Sequence, residues 1–93
     1  MARFQKEKDK KNELIVYPNP ANLILNVEWE CELSSNAKIK IITDKGDIVS
    51  TQKLSEGVKG IILNVAELAT GSYNVVLHIN GSDIISRAVI IIH

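Results

Sequence analysis

Apolar and polar residues alternate along most of this chain. In Leu23–Glu30, "LILNVEWE", Leu23, Leu25, Val27 and Trp29 share one parity; Asn26, Glu28 and Glu30 share the other. A period of two marks a half-buried strand. Ala37–Thr43 repeats it, with Ile39 and Ile41 predicted inward and Lys38 and Lys40 outward. Val58–Val65 places Ile61, Leu63 and Val65 on one face, and Gly71–Ile79 does the same with Tyr73, Val75, Leu77 and Ile79. Ile48–Leu54 is more polar and is expected near a sheet edge. A short run, Glu13–Tyr17, opens the series, and Ile84–Ile92 closes it.

Turn chemistry separates these seven runs. "DKGD" supplies Gly46 between Asp44 and Asp47, and Asn80–Gly81 is the clearest two-residue hairpin signal. The only helical competitor, Asn64–Ala69, is too short for more than a turn. Short strands at regular spacing predict an antiparallel β-sandwich.

Two stretches break the alternation. "YPNPA" sets Pro18 and Pro20 one residue apart, immediately before a strand. Each ring fixes φ and removes a donor, and Tyr17 and Asn19 are pushed towards extended backbone. The segment reads as a rigid hinge at the entrance to the β domain, docked at an edge. In the last strand, Ile84, Ser86, Ala88, Ile90 and Ile92 face one way, and Ile85, Arg87, Val89 and Ile91 the other. Both faces are apolar near the end. Two readings stand: an edge open to strand addition or capture by a partner, or a central strand covered on both sides. The first makes a homodimer by strand pairing or exchange an expectation.

Composition narrows the function classes. A chain of 93 residues with no net charge makes one domain and carries no field to steer nucleic acid. Residues 1–13 mix lysines with acidic residues and lack an apolar period, which reads as a solvated leader or linker ahead of a domain at 14–93. They lack the apolar core of a signal peptide, so the chain is expected to be cytosolic or a piece of a longer precursor whose signal lies elsewhere. The single Cys31, flanked by Glu30 and Glu32, is expected to be a half-buried residue rather than a reactive thiol.

Catalytic chemistry finds few candidates. His78 falls opposite Leu77 in parity and is expected to face solvent; His93 is the only other histidine. No Cys/His pair has zinc spacing, no glycine-rich phosphate loop is present, and no nucleophile elbow surrounds a serine. Asp44 and Asp47 echo part of a calcium loop without its ligand spacing. The chain is expected not to be an enzyme, with no cofactor, metal or small-molecule substrate. Trp29, on an inward face, reads as core rather than as a sugar platform. In "LATGSY", Leu68, Gly71 and Tyr73 sit at a strand entrance, where a tyrosine can bond back to nearby backbone and pin a corner.

Taken in order, Tyr17–Ala21, the Asp44–Gly46 turn, Leu68–Tyr73, Asn80–Gly81 and Arg87 in the last strand resemble the motif series of type A C-terminal sorting domains of the type IX secretion system of Bacteroidetes. The likeness covers residues 14–93. The Asp44–Gly46 turn is one residue shorter than is usual there, and Leu23 stands where a polar residue is common. The resemblance implies an immunoglobulin-like sandwich at the end of a cargo protein. It implies passage through the periplasm and export by an outer-membrane translocon. It further implies removal by a surface sortase and attachment of the cargo to a lipopolysaccharide. On that basis Arg87, Val89, Ile90 and Ile91, with Ile85, are expected to form the surface the translocon reads, and the proline segment a stiff boundary between leader and sandwich. The rival reading is an immunoglobulin-like spacer or adhesion module of a surface protein.

Overall fold

The computed structural model describes residues 13–33 and 36–93. Among them are seven strands and no helix: β1 (Leu14–Tyr17), β2 (Ile24–Trp29), β3 (Ala37–Thr43), β4 (Ile48–Leu54), β5 (Gly60–Asn64), β6 (Gly71–Ile79) and β7 (Ser82–Ile91). The leader assigned to residues 1–13 lies almost wholly outside the described residues. The strands form two antiparallel sheets, β1-β2-β5 and β4-β3-β6-β7. The chain crosses between sheets after β2, β4 and β5. The fold is therefore the expected β-sandwich.

The inner faces follow the predicted parity. Leu25, Val27 and Trp29 of β2 meet Ile39 and Ile41 of β3 and Val75 and Leu77 of β6 in one buried cluster. Leu63, Val65, Val89 and Ile91 belong to the same cluster, with Leu14, Ala21, Leu33, Ala37 and Tyr73. Burying such a set is the main force holding the sheets face to face. β4 is an edge strand, as its polarity predicts. Tyr73 is buried, and its hydroxyl donates to the Ala69 carbonyl, which pins the entrance to β6. Asn80 and Gly81 have φ of 52° and 84°, both positive, as a two-residue hairpin twisted with its strands requires. That turn pairs Ile79 with Ser82, so β7 begins two residues earlier than the periodicity predicts.

Two expectations change. Leu23 is 60% exposed and lies ahead of β2. Its carbonyl accepts the Val65 amide, so its backbone is used while its side chain stays outside. The prolines are not a boundary between leader and sandwich either. β1 precedes them, pairs with β2 along its whole length, and buries Leu14. Both prolines sit in the β1–β2 connection, inside the domain.

Candidate functional site: the proline loop and the last strand

β7 is the edge of the four-stranded sheet, and the connection after β1 reaches across to it. The Tyr17–Pro18 and Asn19–Pro20 peptide bonds are both cis. Asn19 lies between them, and its side-chain oxygen accepts the Ile90 amide at 3.0 Å. Ala21 then runs parallel to the strand end: its amide donates to the Ile90 carbonyl and its carbonyl accepts the Ile92 amide, each at 2.9 Å. Two backbone groups of β7 and the amide of the residue that follows it are thereby satisfied. Ala21 is 2% exposed, so the position takes only a small side chain. The near end of the loop is tied to β2: Asn26 donates to the Tyr17 carbonyl, and the Tyr17 hydroxyl donates to Glu28. That carboxylate raises the Tyr17 pKa.

The other flank of the strand end is held by the segment before β6. Gly71 pairs with Ile91. The His93 amide donates to the Thr70 hydroxyl and its ring Nε2 bonds the Leu68 carbonyl at 2.8 Å. Arg87 points across the sandwich, where its Nε donates to the Leu14 carbonyl of β1 at 2.9 Å. The motifs at Tyr17–Ala21, Leu68–Tyr73 and Arg87–Ile91 thus converge on one strand. The Asp44–Gly46 turn lies at the same end of the sheet, because Thr43 pairs with Tyr73. Its geometry rests on Thr43, whose hydroxyl accepts the Lys45 and Asp47 amides, and on Gly46 at φ 94°. Asn80–Gly81 lies at the opposite end, where the Asn80 amide bonds the Asn36 carbonyl.

The surface expected of the last strand needs correction. Val89 and Ile91 are 1% and 0% exposed and belong to the core, and Ile85 packs against it. A folded domain cannot present them to a partner. The outer face carries Ile84, Ile90 and Ile92, each more than 40% exposed. The strand is neither fully open nor central. Its end is closed by the proline loop, and Ile84–Ala88 pairs on one side only, with β6.

Other candidates lie apart from this site. Cys31 is half-buried against the core. His78 is on the outer face but does not stand free in solvent: its Nδ1 lies 2.6 Å from Asp83. Among the described residues no group of three or more His, Cys, Asp or Glu is placed to hold a metal ion. Periodicity missed Glu28, Thr70 and Leu14, which serve the site through one hydroxyl contact or one backbone carbonyl. Neither leaves a mark on an alternation pattern.

The loop predicts a local measurement. Asn19→Ala should destabilise the domain by about 1 kcal/mol and speed hydrogen exchange at the Ile90 amide roughly fivefold. Unchanged exchange at Ile90 would show that the side chain does not hold the strand.

An all-β sandwich of three plus four strands, its final strand clasped by two remote motifs, defines an immunoglobulin-like domain organised around its C-terminal strand. The chain belongs to the C-terminal sorting domains of the type IX secretion system: the family model described as "Secretion system C-terminal sorting domain" matches residues 15–92. No curated protein and no solved structure matches it significantly.

Proposed function

We propose that this domain is the address read by the outer-membrane translocon after a fused, N-terminal cargo has reached the periplasm. The proposed contact surface is the outer face of β7, with Ile84, Ile90 and Ile92, together with the proline loop that closes the strand end. A surface sortase then cuts upstream of Leu14 and attaches the cargo to the cell surface. The domain has no catalytic part in this scheme. The free backbone of Ile84–Ala88 is where a second copy of the domain would pair. The observation that carries the reading is the family match over residues 15–92, with three of the motifs, Tyr17–Ala21, Leu68–Tyr73 and Arg87–Ile91, meeting at β7. Pinning an edge strand by loop and corner keeps its outer face in a single register for a partner to read.

The test is a transplant. The 93-residue chain is fused behind a periplasm-targeted fluorescent protein in a bacterium with a working type IX system and in a translocon-null strain. Surface or medium fluorescence in the first strain alone is the expected result. A reporter that stays periplasmic in both would leave an adhesion or spacer role, and the search would move to a binding partner.

A further inference from the structure

Over residues 13–93 the chain carries six cationic side chains against nine acidic ones. The domain is net acidic, so an accumulation of cations on one of its faces runs against composition. Three of its five lysines nevertheless stand on the outer face of the four-stranded sheet: Lys38 and Lys40 of β3 and Lys53 of β4. Lys38 and Lys53 are direct cross-strand partners, and Lys38 is opposite His78 of β6 on its other side. The order across the three strands is Lys53, Lys38, His78. Like charges directly opposite each other destabilise a sheet.

Asp83, the acidic partner of this row among the described residues, does not relieve it. Asp83 is bonded by His78 and by Lys40 through the same oxygen, at 2.6 and 3.2 Å. His78, and after it Lys40, hold its carboxyl below the usual carboxylate range. Among the described residues Lys38 and Lys53 have no ion pair. Both line an open hollow of about 720 Å³ between Asn36, His78 and the Asn80–Gly81 turn. Asn36 and Asn80 add amide donors to its rim. His78 uses Nδ1 for Asp83, which leaves Nε2 for another partner.

We propose that this hollow binds a compact dianion of the phosphate-monoester kind, bridged by Lys38 and Lys53 with His78 at its side. A doubly charged oxyanion between the two ammonium groups turns a repulsive cross-strand pair into two charge-assisted hydrogen bonds. The site lies at the far end of the sheet from the clasped end of β7, so it stands apart from the sorting surface and does not depend on it.

Phosphate titration of the full chain, followed by amide and side-chain NMR at constant ionic strength set with chloride, is the test. The expected shifts are confined to Lys38, Lys53, His78, Asn80 and Gly81, and phosphate raises Tm where chloride does not. Lys38→Ala/Lys53→Ala should weaken binding by more than roughly tenfold, whereas Lys45→Ala, in the turn at the other end of the sheet, leaves it unchanged. Lys53→Glu should raise Tm in phosphate-free buffer and abolish the phosphate response, because it replaces a like pair with an opposite one. Co-sedimentation with phosphatidic acid vesicles, against phosphatidylcholine alone, separates sources. Binding to vesicles without a response to free phosphate would place the monoester on a lipid headgroup. The proposal is overturned if neither form binds, if Lys45 shifts as much as Lys38, or if the double alanine variant responds like the parent.

Discussion

Ile91→Ala is expected to lower the unfolding free energy by about 2–5 kcal/mol, while Ile90→Ser, one residue earlier, stays within about 0.5 kcal/mol of the parent. Ile91 is fully buried in the cluster between the sheets, and Ile90 is 46% exposed on the opposite face. The hydrogen bonds that Ile90 makes with Asn19 and Ala21 are through its backbone, so its side chain can change without removing them. Single domains are stable by only about 5–15 kcal/mol, and the Ile91 effect is a large share of that. Urea unfolding measures both. Export of a fused reporter then gives the pair its meaning. Ile90→Ser should keep the fold and lose export, because it removes part of the proposed contact face. If Ile90→Ser exported normally, the outer face of β7 would not be what the translocon reads. If Ile91→Ala were as stable as the parent, the assignment of the odd face to the core would be wrong.

The second large effect falls on Trp29. Its ring is 3% exposed, and Nε1 donates to the Val58 carbonyl at 2.9 Å. Its own amide donates to the neighbouring Lys59 carbonyl at 3.0 Å. The side chain therefore fills the core and also fixes the approach to β5. Trp29→Ala is expected to cost about 3–5 kcal/mol. Trp29→Phe keeps most of the apolar volume and loses the single hydrogen bond, at about 1 kcal/mol beyond the change in packing. Far-UV circular dichroism against urea distinguishes the two, since tryptophan fluorescence is lost in both. A Trp29→Phe variant as unstable as Trp29→Ala would mean that the bond to Val58, rather than packing, holds this corner. A near-neutral Trp29→Ala would remove the residue from the core and reopen a role for its ring in binding.

Much of the domain was legible in the chain. Alternation marked β2, β3, β5 and β6, because a strand must put successive side chains on opposite faces, and the turn residues between runs set off the other three. Asn80–Gly81 and Gly46 announced their turns, because left-handed backbone at such positions suits few residues. Tyr73 behaved as its place at a strand entrance predicts, through a bond to backbone four residues away. The order of short motifs pointed to the family that the match over residues 15–92 establishes.

Parity divides β7 into two faces, both apolar near the end, but it carries no sign. Only the second sheet, packed against Val89 and Ile91, decided that the odd face is core and that Ile84, Ile90 and Ile92 are left outside. The prolines were visible as a break in pattern. That they lie inside the sandwich, with Asn19 and Ala21 clasping a strand some seventy residues later, depends on pairing no local rule reports. Lys38 and Lys40 of β3 read as ordinary outward positions, and β4 only as a polar edge. Their gathering beside His78 arises from register across three strands. The sequence by itself determined where the strands and turns lie and to which family they belong, because those follow from local periodicity and local backbone preference. The tertiary structure decided which face each strand buries and which remote groups meet, because those follow from the pairing and stacking of segments far apart in the chain.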